Sequence, residues 1–156
     1  MHKNLMTHLL ALAVCLSATL TSSVMAQKKV SAPQKTEFRN TGMGEMTDED
    51  GVHLGFTNFT GSDGSHLRVL YEGFGNSAGA KKYLEKRIGK AAKLIDRGDK
   101  VDSTGKIVGE RAEMLLRLNG GKEAFAVLWT DGELFHEIHS LSRESVLQLE
   151  KVYRYR

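Results

Sequence analysis

The fold is decided by the stretch VGERAEMLLRLNGGKEAFAVLWTDGELFHEIHS, residues 108–140. Apolar and polar residues alternate there in three runs, at 108–118, 123–130 and 133–140, and such alternation is typical of half-buried strands. The dipeptides Gly120-Gly121 and Asp131-Gly132 separate the runs, and both are signals for tight turns. The stretch therefore predicts a three-strand antiparallel meander.

Two-residue turns at these dipeptides would give the meander one apolar face. All but one of the residues in its predicted cross-strand rows are apolar; the rows are Leu116–Phe125–Ile138, Met114–Val127–His136 and Ala112–Trp129–Leu134. The same register places Leu128 and Phe135 on the opposite, mixed face, which we expect to be solvated or partly covered. An interaction or dimerisation module that uses this outer sheet face is therefore one functional alternative.

Two further strands precede the meander, at 52–60 and 66–74, and Ser62-Asp63-Gly64 joins them as a hairpin. Pairing around Asp63-Gly64 predicts a shared apolar face that consists of Leu54, Phe56, Leu67, Val69 and Tyr71. A strand at 36–40 can add an edge to the sheet.

One helix is predicted between the hairpin and the meander, and a second one after the meander. The first begins at Asn76 or Ser77 and ends at Gly98, because helical spacing aligns an apolar stripe of Ala80, Leu84, Ile88, Ala91 and Ile95. The second spans 143–153, with Ser142 or Ser140 as its cap. This order predicts an α+β domain in which an antiparallel sheet carries both helices on one face.

Residues 1–26 are predicted to be a cleaved signal peptide, since Lys3 precedes an apolar run at 9–16 and Val24-Met25-Ala26 provides a cleavage site. The apolar run is too short for a transmembrane segment. We therefore expect an exported protein, periplasmic or extracellular, with no membrane span after cleavage. Acylation of the chain at Cys15 is disfavoured, because Val14 stands where a lipoprotein signal needs a small residue.

After cleavage, residues 27–35 are predicted to form a flexible leader and residues 36–156 a single α+β domain. Cys15 is the only cysteine of the 156-residue chain, and it leaves with the signal peptide. The mature protein therefore has no disulfide in an oxidising compartment. Thiol catalysis and thiolate metal sites are excluded for the same reason.

The charge of the mature chain is unevenly distributed. It carries 21 basic and 19 acidic residues, but positions 76–98 hold seven basic and two acidic ones. On one helix, five of these basic residues would project opposite the apolar stripe: Lys82, Lys86, Lys90, Lys93 and Arg97. Such a face predicts binding to an anionic polysaccharide, a lipid headgroup or an acidic protein, although a solvated lysine-rich face is the simpler interpretation. Nucleic acid is disfavoured, since no aromatic residues interleave with the stripe.

The sequence His136-Glu137-Ile138-His139 is the strongest candidate for chemistry. On a strand the two histidines point to opposite faces and cannot share a metal ion. Glu137 and His139 share a face, so a small hydrolase or isomerase could use them for acid–base catalysis. The predicted register also places Arg117 beside His139, which disfavours a metal there, and a solvated surface is the simpler interpretation of the pair.

Four carboxylates stand in six residues at Glu45, Asp48, Glu49 and Asp50. They could bind Ca²⁺, but their spacing does not match an EF-hand, and a charged loop is the simpler interpretation. No nucleophile elbow and no phosphate-binding glycine loop is present in the sequence. We therefore predict a non-enzymatic binding or accessory module without metal or cofactor; whether it forms a homodimer stays open.

Overall fold

The computed structural model describes residues 36–153, which form seven strands and two helices. The chain runs through β1 (Phe38–Thr47), β2 (His53–Gly61), β3 (His66–Gly73), α1 (Ser77–Gly89), β4 (Lys93–Val101), β5 (Ile107–Arg117), β6 (Glu123–Asp131), β7 (Leu134–Ser140) and α2 (Arg143–Val152). All strands join one antiparallel sheet in the order β1-β2-β3-β7-β6-β5-β4. The predicted α+β class with an antiparallel sheet is confirmed. The predicted signal peptide (1–26) and leader (27–35) lie outside the described residues.

The two helices cover opposite faces of the sheet. Tyr83 and Leu84 of α1 pack in one buried cluster with Leu128 of β6, whereas Val146 and Leu149 of α2 pack in a second cluster on the other face. The expectation that both helices share one face is therefore wrong. The physical reason lies in β6, where every residue from 124 to 130 is buried. A central strand that is apolar on both sides needs a layer on each of its faces.

The register between β5 and β6 differs by one residue from the prediction. Leu115, not Leu116, lies opposite Phe125, because the loop between the strands is longer than the assumed two-residue turn. The Leu118 N–H donates to the Lys122 carbonyl at 2.7 Å, which leaves three residues in the loop. Met114 and Leu116 consequently join the α1 face. Between β6 and β7 the shift is two residues, which leaves each side chain on its predicted face.

Loops of this length recur in three other hairpins of the described chain. The backbone N–H groups of Asp48, Gly61 and Asp102 each donate to the carbonyl four residues later. The last loop residue is a glycine with positive φ in each case: Gly51 at 79°, Gly64 at 81° and Gly105 at 83°. A type I turn followed by a left-handed glycine gives three-residue loops of this kind.

The β2–β3 hairpin has a three-residue loop instead of the assumed two-residue turn, and this difference divides the predicted apolar face between the two sides of the sheet. Leu54 and Phe56 lie on the α1 face, whereas Leu67, Val69 and Tyr71 lie on the α2 face. The predicted single face for this hairpin is therefore wrong, although both of its strands are confirmed.

The first helix is shorter than the sequence predicts. Asn76 caps it as expected, accepting the Gly79 N–H at 2.8 Å, but α1 ends at Gly89 rather than Gly98. Residues 93–101 form β4 instead, and the Ala92 N–H donates to the Leu115 carbonyl at 2.8 Å where the pairing with β5 begins. Pairing with β5 outweighs the local helical spacing. Ile95, predicted to be in the core, is exposed on this edge strand.

The second helix agrees with the prediction. It begins at Arg143, and the Ser142 hydroxyl oxygen accepts the Ser145 N–H at 3.3 Å. Within residues 36–153, neither helix is both long and apolar enough to cross a bilayer.

Candidate functional site

A buried ion pair lies between α1 and the middle of the sheet. Glu137 of β7 is completely inaccessible to solvent, and Arg87 of α1 donates to both carboxylate oxygens, from Nε to Oε2 at 2.9 Å and from Nη2 to Oε1 at 3.0 Å. Burial alone would raise the pKa of Glu137, but the hydrogen bonds and charges of His139 and Arg87 outweigh it and lower that pKa. The carboxylate is therefore ionised in the folded protein. The prediction that Glu137 lies on a solvated surface is wrong, because α1 covers it.

His139 is the second partner of Glu137, and it reaches the surface. The two residues are adjacent on one face of β7, and His139 Nδ1 lies 3.0 Å from Glu137 Oε1. The His139 side chain is 23% exposed. An ionised carboxylate at Nδ1 holds a ring proton there. Nε2 lies on the opposite edge of the ring, and it donates a hydrogen bond when the ring carries its second proton.

The cation beside His139 is not the one that the sequence predicted. Arg117 pairs with Glu123 at the end of β5, whereas Arg68 of β3 is the direct cross-strand partner of His139. Arg68 Nε donates to Asn58 Oδ1 at 2.9 Å, and its guanidinium lies 4.9 Å from the centre of the Phe56 ring. These two contacts hold the Arg68 side chain at the surface of the sheet.

His139 and Arg68 line a cavity of about 300 Å³, which we call the His139 cavity. His66 and Asn58 complete its polar wall, and its apolar lining residues include Phe59, Leu118 and Leu141. None of the described residues that line it is acidic. An arginine and two imidazoles without a carboxylate among them favour an anion.

The five basic residues predicted to bind anions do not share one helix face. Lys82 and Lys86 lie on α1, Lys90 caps it, and Lys93 and Arg97 belong to β4. Three of them meet carboxylates: Lys86 meets Asp50 at 3.0 Å, Lys90 meets Glu49 at 2.8 Å and Asp50, and Arg97 meets Glu110 at 2.6 Å and Glu85. A continuous basic helix is therefore wrong, while the binding role of these residues stays a prediction.

The acidic loop between β1 and β2 is what neutralises the C-terminal half of α1. Besides the contacts of Glu49 and Asp50 with lysines, Asp48 Oδ2 accepts the Tyr83 hydroxyl at 2.5 Å. Hydrogen bonds from Tyr83 and from the loop backbone outweigh burial and lower the pKa of Asp48. Among residues 36–153, no group of three histidine, cysteine or acidic side chains is arranged to hold a metal ion.

The outer sheet face predicted for self-association is not accessible. Leu128 and Phe135 are both fully buried beneath α1. The prediction that a dimer forms through these two side chains is therefore wrong, because they are not at the surface.

His136 lies on the opposite face of β7 from His139, as predicted, and is buried. Its ring stacks on Trp129 with 4.9 Å between ring centroids. A cavity of about 560 Å³ borders this pair, and Lys100 and Glu150 on its wall contact each other at 2.9 Å. Because these charges satisfy each other, this second cavity has a weaker preference for an ionic ligand than the His139 cavity has.

Burial and the nearby Lys100 charge lower the pKa of His136 to about 4. The unfolded chain binds this proton near pH 6.5, so the folded state loses stability as the pH falls from 6.5 to 4 and loses no more through this group below 4. We expect the loss through His136 to be roughly 3 kcal/mol. Urea unfolding at both pH values measures it, and His136→Phe should remove that part of the pH dependence. An unchanged pH dependence in the variant would contradict the assignment.

The sequence did not indicate Arg87, Arg68 or His66 as site residues. Arg87 stands four residues after Tyr83, beside the predicted apolar stripe, and that position is the one local signal that its side chain faces inward. Arg68 and His66 reach the cavity only through the pairing of β3 with β7, which joins segments about seventy residues apart in the chain. The chain matches no protein-family model, no characterised protein and no solved structure, so its function is inferred from this geometry.

Proposed function

We propose that this chain is an exported, non-enzymatic binding module that takes a small organic anion in the His139 cavity. The observation that carries the proposal is the position of His139. One nitrogen of its ring is held by the buried Glu137, and the ring borders a cavity that also presents Arg68 and His66. Charged partners that are already in place bind an anion without the cost of ordering them first.

The shape of the cavity narrows the class of ligand. A volume of about 300 Å³ lies at the lower end of small-molecule sites. Leu118 and Leu141 add apolar surface to the lining of the cavity, and Leu141 is 69% exposed. These features favour a carboxylate or phosphate group attached to a short hydrocarbon body.

Hexyl phosphate is a suitable probe, and Arg68→Gln is the informative variant. The substitution removes the one fixed charge of the polar wall, so we expect hexyl phosphate to bind at least about tenfold more weakly in titration calorimetry. Hexylamine, with the same chain and the opposite charge, should not bind.

Lys82→Gln is the matched control, because Lys82 is an exposed cation of the predicted basic stripe. Affinity for hexyl phosphate should survive this change and fall in Arg68→Gln. Equal binding by the wild type and Arg68→Gln, with the fold intact in thermal unfolding, would refute the proposed site. Loss of binding in Lys82→Gln alone would instead favour the basic stripe.

Acid–base catalysis is the second candidate, and the hydrogen bond between His139 Nδ1 and Glu137 favours it. The same probe separates the two functions. A hydrolase would release inorganic phosphate from hexyl phosphate with time, and His139→Gln would abolish the release. A binding module would return the probe intact.

A further inference from the structure

The outer edge of β4 presents a self-complementary pattern of charge. This strand pairs with β5 on one side and ends the sheet on the other. Its regular pairing runs from Asp96 to Lys100, with an irregularity at each end of this segment. Gly98 stands at the centre, and the signs of the charges on either side of it are opposite: Asp96, Arg97, Asp99 and Lys100.

We propose that two copies of this chain pair antiparallel through their β4 edges, about a twofold axis at Gly98. In that register Asp96 faces Lys100 of the partner subunit, and Arg97 faces Asp99 of the partner subunit. Symmetry repeats each contact, so that four pairs of opposite charge form. Opposite charges on facing positions of neighbouring strands stabilise the pairing, and a twofold interface uses the same surface of both copies.

Two carboxylates gain partners by this pairing. Within residues 36–153, Asp96 and Asp99 make no ion pair, whereas Arg97 and Lys100 already contact acidic residues of their own chain. Charges on an edge strand usually discourage pairing with another strand. In β4 the four charged side chains disfavour most registers of a second β4 strand, because like charges would face each other. They favour the register centred on Gly98, in which every charged residue faces one of opposite sign.

Exposed apolar side chains flank the charged segment on both sides. Leu94 and Ile95 precede it and are 45% and 43% exposed; Val101 and Ile107 follow it and are 51% and 59% exposed. Val101 and Ile107 face each other across β4 and β5. The twofold axis places Leu94 and Ile95 beside Val101 and Ile107 of the partner subunit, so these exposed apolar side chains cover one another.

Gly98 itself permits close approach at the axis. A methyl group added there would meet no atom of its own chain within 4 Å. Facing residues of antiparallel strands have Cα atoms about 4.5–5.5 Å apart, within the span of a disulfide. Residues one position off the axis, such as Asp99 and its copy, would be about 7–8 Å apart, too far for a disulfide.

Cysteine cross-linking tests this register in the full chain with Cys15→Ala, which removes the only native cysteine. Gly98→Cys should form a covalent dimer on mild oxidation, and Asp99→Cys, the matched control, should not. Equal cross-linking of the two variants, or none in Gly98→Cys, overturns the proposal.

Sedimentation gives a second measurement that needs no new cysteine. The wild type should sediment at micromolar concentration with twice the mass of one chain. Asp99→Lys, which places a lysine opposite Arg97 of the partner subunit, should sediment as a monomer. Glu133→Lys, an equivalent change on an exposed turn, should leave the dimer intact. A monomeric wild type, or a dimer that survives Asp99→Lys, contradicts the proposal.

Discussion

Replacement of Arg87 by methionine is expected to lower the free energy of unfolding by about 3–5 kcal/mol at neutral pH. Arg87 donates both of its hydrogen bonds to a carboxylate that has no access to water. Without the guanidinium, His139 is the remaining partner of Glu137. The buried carboxylate then loses most of the interactions that offset the cost of burying its charge, so the folded state is destabilised. Urea denaturation of the purified protein measures the loss.

The double variant Arg87→Met, Glu137→Leu separates the ion pair from simple packing. It removes both charges, and buried ion pairs can often be replaced by apolar side chains at little cost. Most of the stability lost in Arg87→Met should therefore return in the double variant. If the double variant is as unstable as the single one, or if Arg87→Met costs less than about 1 kcal/mol, Glu137 is not the buried charge described above.

Gly109→Ala is expected to destabilise the protein by about 3 kcal/mol, a large effect for one methyl group. A Cβ atom at Gly109 would lie 2.1 Å from the carbonyl oxygen of Thr130, on the neighbouring strand. This oxygen belongs to the backbone and cannot rotate away, so the β5–β6 pairing itself must shift.

Gly73→Ala is the matched control, since Gly73 is also a strand glycine, but a Cβ atom there would make only an ordinary contact, 3.6 Å from the Leu134 side chain. Its free energy of unfolding should change by no more than about 0.5 kcal/mol. Thermal and urea unfolding of the two variants, measured side by side, provide the comparison. Similar stabilities for both would mean that β5 and β6 are not packed as closely at this point as the structure describes.

The strands of the meander could be predicted from the sequence, but the pairing between them could not. Alternation identified the segments that form β5, β6 and β7. The register failed at Gly120-Gly121 because one more residue belongs to that loop. The nearly all-apolar predicted face did not reveal the error, because β6 is buried on both sides and either register gives it an apolar face.

The strand β4 was missed because its residues also fit a helix. Leu94 and Ile95 continue the helical spacing of Leu84 and Ile88, so local periodicity favoured one long helix. The competing signal was Asp102-Ser103-Thr104-Gly105, a turn in which Asp102 Oδ1 accepts the Thr104 N–H at 2.8 Å. It resembles the loop that ends at Gly51, and a turn there predicts a strand before it.

The candidate site could be predicted only in part. The shared face of Glu137 and His139 follows from the period of a strand, and it is confirmed. The cover provided by α1, and with it the burial of Glu137, depends on tertiary packing that no local pattern encodes. The same holds for Arg68, which meets His139 only across two paired strands.

The most direct test of the proposed site is a nitrogen-15 NMR spectrum of the His139 ring, recorded with and without hexyl phosphate. Without the probe the ring should carry a proton on Nδ1, toward Glu137. In the complex Nε2 should be protonated as well, because it donates to the phosphate, and its resonance should therefore shift when the probe is added. A ring protonated on Nε2 alone, with resonances that the probe leaves unchanged, would contradict both the orientation of His139 and its role in binding an anion.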